Sequence, residues 1–354
     1  MTTDTFGMQV LTALQESDAR GGFEESMRSI KLPFETALAD DAIHVADAII
    51  EGWDAVGLFD SAPKPFPIPA KDDPSIATQA ANYVTEFGSV TVKTNDEPLL
   101  NEIDLILANA VSSGAGSQRP TGETFRCLRS TSGTFGLFGA DKPIWGQTDR
   151  DEARFILLRE AAAGLCGGDR VGAVLHGAAV LCEQGAVVLI GESGQGKSTL
   201  AQGLVSEGFG FLADDHIPLH RNGTDAMSFP TAASVKEGSL DLPEIEALHS
   251  RFEMLGGERD GVVYIPISPG APIGTQIPIR AVIVPRFLQT AKYRLTKLSP
   301  EDIFTTLIMS GARPTSQNPE ILPLVRLCNT VPAYALEYST SEQSLSACQN
   351  LFQM

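Results

Sequence analysis

Gly191-Glu-Ser-Gly-Gln-Gly-Lys-Ser198 is a complete G-x-x-x-x-G-K-S phosphate loop. The run before it, Ala186-Val187-Val188-Leu189-Ile190, is apolar and of strand length. After it, Thr199 to Ser206 carries the 3.6-residue apolar spacing of a short helix. Strand, glycine turn and helix in that order are the context that gives the motif structural meaning. Glycines let backbone N–H groups converge on phosphate oxygens, and the helix N-terminus adds partial positive charge. The candidate nucleotide-binding residues are therefore Gly191, Glu192, Ser193, Gly194, Gln195, Gly196, Lys197, Ser198 and Thr199. Lys197 would reach the β- and γ-phosphates of ATP, and the Ser198 hydroxyl would ligate Mg²⁺.

Working outward, Val171–Cys182 and Ala186–Ile190 flank Glu183-Gln184-Gly185. That is a hairpin signature, so an antiparallel pair should lead into the loop rather than a parallel sheet alone. His176 sits in the first of these strands, beside the loop strand, which makes it a candidate for the phosphate site as well as for a core histidine. Downstream, Gly208-Phe-Gly-Phe-Leu-Ala-Asp-Asp215 reads as turn, strand and two carboxylates at the strand end. Asp214 lies 16 residues past Ser198, so one helix and a turn should bring its strand alongside the loop strand. Neighbouring strand residues point to opposite faces, so one acid would hold the metal and the other would take a proton. His216 and His220 read as surface residues without a role.

The segments Leu175-His176-Gly177, Gly191–Ser198 and Leu212-Ala-Asp-Asp215 together resemble the catalytic core of the HPr kinase/phosphorylase family. A weaker resemblance to divergent HPr-kinase-related proteins continues through Ser228–Ser239, Ile279–Phe287 and Val331–Tyr338. The resemblance implies an α/β fold on a mixed sheet, a P-loop kinase core of the type shared with phosphoenolpyruvate carboxykinase. It implies that Lys197 and Ser198 bind nucleotide and metal, that Asp214 binds Mg²⁺, that Asp215 transfers the proton and that His176 lines the phosphate site. The L-E-I-R-G signature of enzymes acting on HPr is not found after the acid pair, and Lys236-Glu237 falls in roughly that region. The first 150 residues do not resemble the family's N-terminal domain. The resemblance thus carries the transfer step and leaves the acceptor open.

The remaining sequence sets the frame. A net charge of −18 and a pI near 4.6 argue against a nucleic-acid partner, which needs a basic face. The five cysteines show no C-x-x-C pair or zinc spacing and read as reduced and mostly buried. Neither a secretory leader pattern nor a membrane-spanning apolar run is apparent, so a cytoplasmic protein is expected. Residues 1–60 read as a helical N-terminal region. Residues 61–75, with five prolines in Ser61–Pro74, read as a linker. Residues 76–150 read as a small α+β region, with a strand at Ser89–Thr94, a helical stretch from Pro98 to Val111, and a loop at Ser112–Pro120. Residues 151–354 read as the catalytic domain, opening on an amphipathic helix over Arg154–Leu165. Arg280 and Arg286 flank a short strand, Ala281–Val284, and Arg286 is a candidate for substrate phosphate because its donors form a planar fork.

These readings converge on a Mg²⁺–ATP-dependent kinase that moves a γ-phosphoryl group to a hydroxyl, first a serine of a protein or peptide, second a small-molecule alcohol. A non-catalytic nucleotide-binding regulator, with residues 1–150 as interaction module, is the rival from another class. A transport-type ATPase fits less well, because neither an L-S-G-G-Q-like signature nor a distal acidic strand follows. Self-association into a homo-oligomer is left open.

Overall fold

The computed structural model describes residues 77–110, 122–139, 143–236, 239–256, 262–290, 292–315, 317–318 and 320–352. The expected N-terminal helices, the proline-rich linker and the Ser112–Pro120 loop lie outside the described residues.

The loop strand is β7 (Gly185–Ile190), and it forms the expected antiparallel hairpin with β6 (Val171–Cys182), from Cys182↔Gly185 to Gly177↔Ile190. Val187, Val188, Leu189 and Ile190 have no exposed surface. At about 1.5–3 kcal/mol for each fully buried aliphatic side chain, their burial pins the residue from which the loop departs. On its other side β7 pairs parallel with β13 (Gln276–Phe287), which pairs parallel with β16 (Ala333–Tyr338). β14 (Arg294–Lys297) adds antiparallel to β16. Beyond β6 lie β8 (Gly210–His220) and β9 (Asp225–Met227), both antiparallel to their neighbours. β9 also pairs with the start of β13, so this mixed sheet curls back on itself.

Three sequence expectations are corrected here. The strand carrying the acid pair is not alongside the loop strand, because β6 lies between β7 and β8. Each of those two strands bonds β6 antiparallel, so they run in the same direction with one strand between them. Nor does the acid pair end a strand, since β8 continues to His220. Arg280 and Arg286 likewise lie within β13 rather than flanking it.

Helices cover both faces of the sheet. The loop helix, Lys197–Ser206, packs on one face with Pro243–His249 and Ser341–Phe352, around Val187, Leu189, Leu204 and Ile283. The other face meets Pro300–Met309 and Leu322–Thr330, around Val188, Ile190, Ile217 and Leu307. A second sheet, in the order β1 (Gln79–Val84), β2 (Ser89–Thr94), β3 (Gly122–Arg129), β4 (Phe135–Phe138) and β5 (Pro143–Thr148), precedes these elements. With α1 (Glu97–Ile106) and α2 (Arg150–Leu165) it shares a core that reaches Val174, Met227 and Phe229 of the large sheet's strands and the loop after β9. α2 starts at Asp149, whose side chain accepts from Glu152 N–H. It is buried around most of its circumference instead of being amphipathic, because it is wedged against both sheets. Glu102 of α1 ties the helices together, accepting from Arg154 of α2 and from the Tyr264 hydroxyl. All five cysteines are free and buried.

Candidate functional site

The loop leaves β7 at Gly191 (φ 143°) and turns through Gly194 (φ 83°) and Gly196 (φ 89°). Residues with a side chain rarely adopt the latter two conformations, which is why the motif needs glycine there. Gly196 is the N-cap of the loop helix α3 (Lys197–Ser206) and supplies no side-chain cap. The first N–H groups of α3 are therefore directed into the loop, the arrangement that binds anions.

Lys197 is buried and folds back over the loop, its Nζ donating to the carbonyls of Gly191 at 2.8 Å and Glu192 at 2.9 Å. Burial lowers its pKa, while the negative charges of Asp215 and Asp214 oppose that shift. The next residue makes the decisive link. Ser198 Oγ donates to Asp214 Oδ1 at 2.8 Å. Asp214 Oδ2 accepts from Ser234 N–H at 3.0 Å, and the Asp214 carbonyl accepts from Thr231 Oγ1 at 2.9 Å. Burial and the neighbouring Asp215 push the Asp214 carboxyl up to about 7, against the pull of Ser198 and Ser234.

Asp215 has φ 63°, the only positive φ outside glycine among the described residues. The left-handed conformation costs an ordinary residue about 1–2 kcal/mol, so its surroundings must hold it. His176 Nδ1 lies 3.1 Å from the Asp215 carbonyl, within hydrogen-bond reach. His176 itself has its pKa lowered by burial, with Asp215 opposing. Opposite His176 across the β6–β8 ladder stands His216. The surface placement expected for His216 is wrong. It is buried, its Nε2 is 3.0 Å from the Phe155 carbonyl, and burial takes its pKa down to about 4. Phe155, from α2, packs its ring against both histidines, with centroids 5.2 Å from His176 and 4.7 Å from His216. His220 accepts from the backbone of Asn222 at the far end of β8.

The structure thus joins Lys197, Ser198, Asp214, Asp215 and His176 in one place. Glu192, Ser193 and Gly194 form the exposed rim of the loop. Arg286 is exposed near the end of β13, which runs parallel to the loop strand, and no hydrogen bond among the described residues joins it to the Ser198–Asp214 pair. Arg280 lies near Gly185, where the hairpin turns at the opposite end of that strand. Lys236, at the end of β10 (Ala233–Lys236), reaches across the loop and donates to Ser193 Oγ at 3.4 Å. Nothing in the sequence singles out Thr231, Ser234 or Phe155 as site residues, because each acts from an element whose placement is set by long-range packing.

Ser198 Oγ and Asp214 Oδ1 offer adjacent hard oxygen donors, which fits Mg²⁺, an ion that takes one or two protein oxygens beside water and phosphate oxygens.

Topology and motif together define the class, a mixed-sheet α/β chain that carries a phosphate loop. Comparison finds a short likeness. Over 57 residues the chain is 42% identical to the HPr kinase/phosphorylase of Chromobacterium violaceum, and the match covers 16% of this chain and 18% of that protein. Over that segment the chain is similar to an HPr kinase/phosphorylase, less than a fifth of whose length it spans. The structure of the Hpr(Ser) kinase/phosphatase from Coxiella burnetii aligns at 12% identity with 50% of this chain and 96% of that one, with a TM-score of 0.25. No family model matches the chain. Among the described residues, no helix is long and apolar enough to cross a membrane.

Proposed function

We propose that this chain is an ATP-dependent kinase that transfers the γ-phosphoryl group to a hydroxyl, foremost a serine of a protein or peptide. The observation that carries this reading is the Ser198–Asp214 hydrogen bond, which makes the loop and the acid pair a single site. In it, the loop N–H groups and Lys197 hold the triphosphate, and Lys236 adds a second positive charge over the loop. Ser198 and Asp214 would hold Mg²⁺, which when bound neutralises charge on the phosphate oxygens. The acceptor oxygen bonds to the γ-phosphorus, the bond to the β–γ bridging oxygen breaks, and Asp215 takes the hydroxyl proton. His176 fixes the backbone of Asp215 through its carbonyl. Positioning and electrostatics supply most of the rate. Residues 151–354 form the catalytic unit in this reading.

The test is transfer of label from γ-labelled ATP with Mg²⁺ to fractionated cell extract, with intact-mass detection, for the wild type and Asp215→Asn. Label on one acceptor with the wild type alone establishes the kinase and identifies the acceptor. Tight ATP binding without transfer to any fraction would replace this reading with a nucleotide-binding regulator.

A further inference from the structure

A cavity of about 290 Å³ opens beside the phosphate loop, lined by Gly196, Thr199, Gly203, Glu244, Phe287 and Tyr338 among others. Its size is near the lower end of small-ligand sites, roughly 300–1,000 Å³, which suits one nucleoside and little more. Lys197, Ser198, Asp214 and Asp215 do not line it. A triphosphate with its γ end at the Ser198–Asp214 pair would therefore leave the loop on the cavity side, past Thr199.

The lining matches that direction. Phe287 is 46% exposed, yet its ring is held edge-on to Tyr338, with centroids 5.7 Å apart and planes at 65°. It is an aromatic surface kept in place without being buried. Gly196 leaves room for the Tyr338 hydroxyl, which lies 2.5 Å from where a Cβ would sit. Glu244 is 9% exposed and accepts from Ser341 Oγ at 2.6 Å. An ionised carboxylate only accepts, and a serine oxygen whose proton is engaged is left to accept as well. The pair therefore selects hydrogen-bond donors such as hydroxyls. Gly203 lies four residues beyond Thr199 on the same helix, about 6 Å along the axis. A Cβ there would meet Leu345 Cδ2 at 3.0 Å and Glu244 Cγ at 3.7 Å, so the bare glycine keeps the floor of the cavity open.

We propose that this cavity seats the nucleoside of the phosphoryl donor, with the base on the Phe287 ring and the ribose hydroxyls on Glu244 and Ser341. The proposal rests on the kinase reading and adds to it the residues that distinguish a nucleotide from inorganic polyphosphate.

Calorimetric titration of the full chain with Mg-ATP, Mg-tripolyphosphate and Mg-2′,3′-dideoxy-ATP tests it. Phe287→Ala and Gly203→Leu should each weaken Mg-ATP by about tenfold, the usual scale of a lost base–aromatic contact, and leave tripolyphosphate unchanged. Phe287 is a surface residue, so its variant remains informative if Gly203→Leu fails to fold. The wild type should bind ATP more tightly than dideoxy-ATP, and Glu244→Ala should abolish that preference. Unchanged ATP affinity in Phe287→Ala, or equal wild-type affinity for ATP and tripolyphosphate, overturns the nucleoside site while leaving the phosphate site standing. A wild type that binds neither ligand overturns both readings.

Discussion

Ser198 and Asp214 stand 16 residues apart in sequence, and the serine hydroxyl donates to the Asp214 carboxylate at 2.8 Å. This contact crosses from the loop helix to a strand two places away in the sheet, over the intervening β6. It holds an acid whose burial and acidic neighbour both disfavour its charge.

That tension gives Asp214 a pH signature. Its folded pKa, about 7, is above the ordinary carboxylate value. Between those values the folded state binds more protons than the unfolded state, so this group's contribution to stability falls as pH rises. Asp214→Asn should therefore melt a few degrees above the wild type at pH 8, with the gap closing towards pH 5. Thermal melts of both proteins across that range check it. Mg²⁺ binding should weaken below pH 7, as the carboxyl takes up a proton.

His216 should act in the opposite sense. Its folded pKa, about 4, is below the ordinary histidine value. The unfolded chain takes up the proton first, so stability is lost as pH falls from about 6.5 towards the folded value. In His216→Gln, urea unfolding at pH 7 and pH 5 should show a smaller loss than in the wild type. The two groups oppose each other over an overlapping window, so each appears only against its own variant.

The left-handed backbone of Asp215 makes a prediction about substitutions. Glycine adopts φ 63° freely and alanine does not. Asp215→Ala should be about 1 kcal/mol less stable than Asp215→Gly, measured by urea denaturation. Asparagine tolerates this conformation, so Asp215→Asn should fold like the wild type and lose phosphoryl transfer.

Lys236 meets the loop through Ser193 Oγ and is exposed. Lys236→Ala should leave the melting temperature unchanged and lower kcat/KM by about tenfold, as expected for one charge-assisted phosphate contact. Steady-state kinetics beside a melt separate the two effects. A drop in both would make Lys236 a structural residue.

Much of the site was legible because its signals are local. The loop glycines, Lys197 and Ser198 follow from a motif whose backbone chemistry is contained within eight residues. The hairpin of β6 and β7 follows from two apolar runs and a tight glycine turn. His216 was misread because its environment comes from Phe155, 61 residues earlier in the chain, and an isolated histidine carries no mark of burial. The helical spacing over Arg154–Leu165 revealed the helix but not that it is enclosed on most sides, since enclosure depends on two sheets meeting there.

The sequence by itself determined that a strand, a glycine loop and a helix would form in order, and that two acids would follow on a later strand. Those features depend on periodicity and glycine dihedrals, which act over a few residues. Only the tertiary structure decided that β6 separates the two strands, that Asp214 bonds Ser198, and that Asp215 takes a left-handed turn. Sheet order and buried polar pairing minimise free energy over the whole core, so no short stretch of the chain contains them.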